Sequence, residues 1–217
     1  MNARNLSNAP DDARRARPWF VAPLAVLVLA GCTLLSPSRN QLPELFALSP
    51  AIEAARAERA PAEAPTLLVN VPRAGPGFDS PRMAYVLEPH ALAYFARHQW
   101  VDTPARMLVP LLVRAFEGTG RFAAVVSAPS SVATRLRVDT EVVRLVQDFS
   151  VRPSVLRFTV RAQIVDTDQR RVLATREITR AVEAPSDDPV GGVAAANEAV
   201  GTALGELAAT CAALAAP

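Results

Sequence analysis

The chain has 217 residues, 50% hydrophobic and 20% charged, with 23 basic and 21 acidic side chains and a formal net charge of +2. Four of the bases and two of the acids lie in residues 1–31, so the other 186 residues carry 19 of each and no net charge. That balance gives no support for a nucleic-acid partner, which calls for a surplus of cations, and the length suits one domain with a proper core. Every cation is an arginine, since no lysine occurs.

The N-terminus has the plan of a secretory leader: a charged region, a short apolar run and small residues at a cleavage site. Arg4, Arg14, Arg15 and Arg17 supply the charge, and Pro18 to Ala30 the apolar run. That run is shorter than the roughly 20 residues a transmembrane helix needs. Arg14-Arg15 is a poor twin-arginine signal, because Ala16, Arg17 and Pro18 follow it. Leu29-Ala30-Gly31-Cys32 is the lipobox pattern of a bacterial lipoprotein precursor. Its small residues let a signal peptidase grip extended backbone, and the Cys32 thiol takes a diacylglycerol before cleavage makes it the new N-terminus. Each buried CH₂ of the acyl chains contributes about 0.8 kcal/mol to membrane attachment. The alternative is an uncleaved N-terminal anchor with an accidental cysteine, which also leaves the following domain outside the cytoplasm. The expected divisions are a signal peptide over 1–31, a lipidated tether over 32–43 and a folded periplasmic domain over 44–217.

Leu45 to Leu48 reads as a first strand, and Ala51 to Pro65 as an exposed loop with a helical turn. Thr66 to Val71 is a buried-type strand stopped by Pro72, and Gly75-Pro76-Gly77 is a turn. Met83–Leu87 and Leu92–Arg97 suit a hairpin-like pair. A helix is predicted over Pro104–Glu117, capped by Asp102 or Thr103, with Pro104 at its first position and Gly118 and Gly120 ending it. Met107, Leu108, Leu111, Leu112, Ala115 and Phe116 share one face at helical spacing. Pro110 removes a backbone donor within it and predicts a bend near Arg106.

After Phe122–Val126 comes a three-strand meander: Thr134–Gln147, Val155–Val165 and Val172–Val182. Leu136, Val138, Thr140 and Val142 alternate with Arg135, Arg137, Asp139 and Glu141, and the alternation slips at Val142-Val143, predicting a bulge. Leu156, Phe158, Val160, Ala162 and Ile164 form a second apolar face. A last helix is predicted over Pro189–Leu214, capped by Asp187 or Asp188. Its Val193, Val200, Leu207 and Leu214 recur every seven residues, with Leu204 and Cys211 between them. Gly201, Gly205, Ala208 and Ala212 add a smooth face. The pattern suits packing on the chain's own sheet; a coiled-coil partner, and hence a homo-oligomer, is the alternative. Cys211 has no intrachain disulfide partner once Cys32 is acylated, and reads as a buried inert thiol or an intermolecular one. The expected fold is α+β: a mostly antiparallel sheet of about four to six strands with two helices packed on one face.

No catalytic, cofactor or metal site can be assembled from these residues. His90 and His98 lie near Ser80 and Asp79, but no Gly-x-Ser-x-Gly elbow is present. The two histidines with Asp102 match no standard zinc spacing, and Gly75-x-Gly77 is followed by no Gly-Lys-Ser/Thr. The informative constellation is aromatic: Phe78, Tyr85, Tyr94, Phe95 and Trp100 crowd into residues 78–100. Core packing accounts for such a cluster. The sharper reading is a docking surface, or a groove for an acyl chain or a partner's lipidated segment.

At these residues the chain resembles the PqiC (YmbA-like) family, the auxiliary lipoproteins of ABC-type lipid transport systems that work with MCE-domain proteins. The family's lipidated Cys is followed by a short aromatic-Leu strand, here Leu45-Phe46-Ala47-Leu48. Its "Asp, Pro, Arg, apolar, Tyr" run is matched by Phe78-Asp79-Ser80-Pro81-Arg82-Met83-Ala84-Tyr85. Its aromatic pair, Trp and helix-opening Pro are matched by Tyr94-Phe95, Trp100 and Pro104, ahead of Leu108, Leu111 and Leu112. The likeness spans roughly Leu42 to Leu214 and is most specific over 78–112; Val101-Asp102-Thr103 and Pro110 depart from it.

The resemblance implies a non-enzymatic periplasmic module, lipid-anchored at the outer membrane. There it supports or docks an inner-membrane MCE complex, with phospholipid as a candidate cargo. Thr33, where an Asp would retain a lipoprotein in the inner membrane, is consistent with export outward. A structural or assembly lipoprotein that binds another envelope protein without handling lipid is the competing class. A hydrolase is the third.

Overall fold

The structure, a computed structural model, describes residues 42–52, 60–61 and 63–215. The lipobox, with Cys32, and most of the Ala51–Pro65 loop lie outside the described residues. The elements in order are β1 (Glu44–Phe46), β2 (Thr66–Val69), β3 (Arg73–Ala74), β4 (Arg82–Val86), β5 (Leu92–Trp100), α1 (Pro104–Glu117), β6 (Ala124–Ser127), β7 (Leu136–Asp148), β8 (Val155–Asp166), β9 (Arg171–Glu183) and α2 (Pro189–Leu214).

The thirteen-residue β7 organises the sheet. Along one edge it pairs antiparallel with β8, which pairs antiparallel with β9, giving the expected meander. Its other edge is tiled by three short strands in succession, all parallel to it. β2 lies at Leu136–Val138, β3 at Glu141–Val142 and β4 at Val146–Asp148. β6 extends the sheet beyond β2, while β5 and then β1 extend it beyond β4. The expected mostly antiparallel sheet of four to six strands is therefore corrected to a mixed nine-stranded one. The α+β class and the β4–β5 antiparallel pair are as expected. Parallel strands are joined by long crossovers, and strands of two to five residues carry too little pattern to reveal partners far along the chain.

β7 and β8 supply the sheet's buried face. Leu136, Val138 and Val142 are at most 3% exposed, and so are Leu156, Phe158, Val160, Ala162 and Ile164. The register shifts between Val142 and Arg144, the bulge expected from the broken alternation. Beyond it Leu145 resumes the inward set. The outer face carries a row of alternating charge at paired positions across β3, β7, β8 and β9: Arg73, Glu141, Arg161 and Glu177. Such a row neutralises itself and keeps that face wetted rather than selecting an anion or a cation.

α1 follows its predicted bounds. The Thr103 side chain accepts from the Arg106 N–H, Asp102 ion-pairs with Arg106 at 3.1 Å, and Pro104 opens the helix. The helix runs unbroken through Pro110, which is exposed. Its predicted apolar face is buried, with Leu108, Leu112 and Phe116 fully so. α2 also matches its predicted bounds and packs on β8, β9 and α1. Val200, Leu204, Leu207 and Cys211 are inaccessible in one continuous core with the sheet. The seven-residue repeat therefore lies on the intramolecular face of the helix. Glu206 on its outer side is ion-paired with Arg180 of β9.

Burial pushes the Cys211 thiol up to about 12. In the folded protein the thiolate, which is the reactive form, is therefore absent at ordinary pH. Maleimide at pH 8 will leave Cys211 unmodified in the native protein and label it on addition of denaturant, as read by intact mass.

Candidate docking surface

The aromatic residues read from the sequence divide into three groups. Trp100 is 3% exposed and belongs to the core. It lies at the end of β5, where its backbone N–H donates to the Pro81 carbonyl at 2.7 Å. It is therefore a packing residue, not part of an exposed surface. Tyr94 is half-buried and locally satisfied. Its hydroxyl donates to the Gly77 carbonyl at 3.0 Å, and the Arg82 guanidinium lies 3.8 Å from its ring centre. Phe78 is half-buried in the turn, its N–H donating to the Gly75 carbonyl at 3.0 Å.

Tyr85 and Phe95 form the third group, on the neighbouring strands β4 and β5, with ring centres 4.6 Å apart. Phe149, just past the end of β7, sets its ring edge-on to both, at 6.0 Å from Tyr85 and 6.2 Å from Phe95. The row continues through His98, 6.0 Å from Phe95, to Phe46 of β1, stacked on His98 at 6.0 Å. Offset and edge-on contacts at these separations suit the ring quadrupole. The row thus joins residues 46, 85, 95, 98 and 149. Phe149 and Phe46 escape a sequence reading because they come from distant segments, brought in by the parallel β4–β7 and β1–β5 pairings.

The three mutually contacting rings open onto a groove of about 440 Å³, also lined by Leu87, Tyr94, Asp187, Asp188 and Pro189. The far wall is the N-terminus of α2. Asp188 is its cap and accepts from the Gly191 N–H at 2.8 Å. Asp187 accepts from the Ser154 N–H at 2.6 Å and pairs with Arg152 at 2.7 Å. Below them the buried Gln147 amide donates to Ser154 Oγ at 2.9 Å and to the Asp188 carbonyl at 3.1 Å. These bonds tie the β7–β8 turn to the start of the helix. Both carboxylates are held below the ordinary Asp value. Asp187 is held by the Ser154 backbone and side chain, and Asp188 by the Gly191 N–H and the Ser186 side chain. They stay charged across the neutral range.

The residues weighed for chemistry do not line the groove. His90 is in the β4–β5 turn with φ +69°. His98 faces Glu44 at 3.5 Å, Ser80 Oγ accepts from the Arg82 N–H, and Asp102 belongs to the α1 cap. Among the described residues no three His, Cys, Asp or Glu side chains are grouped to hold a metal ion. No described helix is long and apolar enough to cross a membrane.

The family model for the ABC-type transport auxiliary lipoprotein component matches residues 46–208, from β1 into the last turns of α2. The chain belongs to this family. Among solved structures, protein XCC0632 of Xanthomonas campestris, a DUF330 protein, is similar at 26% identity and a TM-score of 0.65, over 76% of this chain and 92% of that one. A second structure, of an uncharacterized protein, shares the fold at 9% identity and a TM-score of 0.61, over 78% and 99% of the two chains. The PelC dodecamer of Paraburkholderia phytofirmans matches at 15% identity and a TM-score of 0.41, over 69% and 92%. The comparison with curated proteins gave no match. The family model takes in Tyr85, Phe95, His98 and Phe149 of the ring row, and the α2 N-terminus, so the groove lies within the matched region.

Proposed function

We propose that this auxiliary lipoprotein is held by an acylated Cys32 on the periplasmic face of the outer membrane, where it docks an inner-membrane ABC transporter and its MCE-domain protein during lipid transport. The observation that carries this reading is the family match across nearly the whole folded domain, to a component of ABC-type transport. The lipobox supports attachment by lipid, and the net neutrality of the region after residue 31 is consistent with a protein partner. The half-buried ring row supplies a docking face that needs no catalytic residue: aromatic side chains give large contact area at low conformational cost. The expected action is positioning rather than chemistry.

The test is affinity purification of the full-length chain from envelopes in mild detergent. The expected result is co-elution of an MCE-domain protein with a permease and an ATPase, and sedimentation of the chain with outer-membrane vesicles. Co-elution with an outer-membrane protein or an envelope enzyme, and with no transporter subunit, would replace this reading with the assembly-lipoprotein one.

A further inference from the structure

The groove beside the ring row has an uneven chemistry. One side is made of Tyr85, Phe95 and Phe149, with Leu87 at 60% exposure. The other carries Asp187 and Asp188, and no arginine or histidine is among the lining residues. Asp187 is already paired with Arg152. Asp188 has N–H partners but no cation within ion-pair distance among the described residues. A site with an aromatic wall and a carboxylate wall is complementary to a cation with an apolar neighbour. The rings take the apolar part and the flat of a guanidinium, and the carboxylate takes its N–H groups. An anionic group is disfavoured because no cationic side chain lines the groove and the positive end of α2 is already met by its own Asp188 cap. A bare acyl chain is disfavoured because it would desolvate the Asp188 carboxylate without giving it a cation.

We propose that the groove receives a peptide segment of a partner protein in which an Arg or Lys stands beside an apolar or aromatic residue, the rings holding the apolar side chain and Asp188 the cation. This rests on the docking reading above only for the identity of the partner; the chemistry of the segment follows from the groove. Two features suit a rigid receptor. Phe149 braces Tyr85 and Phe95 edge-on, and the carboxylate wall is fixed by the Ser154, Gln147 and Gly191 hydrogen bonds, so little ordering is needed on this side.

The experiment places the photo-crosslinker p-benzoylphenylalanine at Leu87 of the full-length chain in living cells, with Val172 of β9, 52% exposed, as a second site. The crosslinked peptides are sequenced by mass spectrometry. Supporting results are a Leu87 adduct on a different protein whose attached peptide has Arg or Lys within two residues of an apolar side chain, and a fall in its yield of roughly five- to tenfold in Asp188→Ser, the scale of a lost charge contact at an interface. Serine keeps a cap acceptor for the Gly191 N–H while removing the charge, and an unchanged melting curve certifies the fold. An adduct only on phospholipid, on another copy or another segment of this chain, or on an acidic peptide would overturn the proposal. So would no adduct, or a yield indifferent to Asp188→Ser. A basic segment captured from a protein unrelated to transport would uphold the groove and defeat the docking reading. An MCE protein captured from Val172 alone would do the reverse.

Discussion

Replacing Cys32 by serine will move the protein from the membrane fraction to the soluble fraction. No described helix is long and apolar enough to cross a membrane, and the lipobox makes an acyl group on residue 32 the expected means of attachment. A single myristoyl-sized chain gives only marginal, reversible binding, with K of about 10⁴ M⁻¹, whereas two or more chains anchor stably. Serine has no thiol to accept diacylglycerol, so acylation and the processing that follows it are both blocked. Fractionation of cells expressing the two forms, with intact mass of the N-terminus, checks this. The unmodified variant should leave the vesicles on a salt or carbonate wash while the native form stays. A C32S form that resists the wash would point instead to an uncleaved leader acting as the anchor. The folded domain is expected to melt at the same temperature in both forms, since Cys32 lies outside its described elements.

Gly191→Ala is expected to be the most damaging single-methyl change in the domain. A Cβ at this position would sit 2.2 Å from the Ser186 carbonyl oxygen and 2.8 Å from the Ser186 nitrogen. Backbone atoms in a capping turn cannot swing aside as a flexible side chain can. The start of α2 must therefore move away from Ser186, and with it the Asp188 cap, the Gln147 bond to the Asp188 carbonyl and one wall of the groove. Overpacking of this kind costs about 1–3 kcal/mol, and loss of the cap adds about 1 kcal/mol more. Gly205→Ala, on the same helix, is the contrast. Its Cβ would meet nothing within 4 Å, and a solvent-facing glycine inside a helix gains up to about 1 kcal/mol on becoming alanine. Chemical denaturation of the two variants should therefore shift the midpoint in opposite directions. Equal shifts would mean that the Ser186 turn yields more easily than its geometry implies.

Those two glycines show where a sequence reading stops. Both belong to a helix whose bounds, Pro189–Leu214, were legible from its cap and its seven-residue repeat. Yet one glycine is required by a backbone approach and the other is not, and that difference lies in the Ser186 turn rather than in the helix pattern. The smooth face made by Gly201 and Gly205 looked like a seam for close packing. In the fold Gly201 lies against Pro50 and Ala51, while Gly205 faces open space.

The aromatic cluster divides in the same way. Crowding within residues 78–100 is visible in the sequence, but burial is not: Trp100 lies in the core, Tyr94 borders the groove with its hydroxyl turned to Gly77, and Tyr85 and Phe95 form the groove's ring wall with Phe149. Phe149 completes the ring group from 54 residues beyond Phe95 in the chain. No periodicity in either segment encodes that meeting. It follows from the parallel pairing of β4 with the end of β7.

The sequence by itself determined the elements of the folded domain whose signal is local: both helices with their caps, the three strands of the meander and the bulge at Val142. Each rests on contacts between residues near one another in the chain, or on an alternation that any covering layer would enforce. The tertiary structure alone decided that β2, β3 and β4 line up head to tail along β7, that the sheet is mixed, and that rings from β4, β5 and the loop after β7 line one groove with the α2 carboxylates. Those outcomes depend on pairings across long crossovers. Their free energy is set by how well the whole core closes, and no short window of residues carries it.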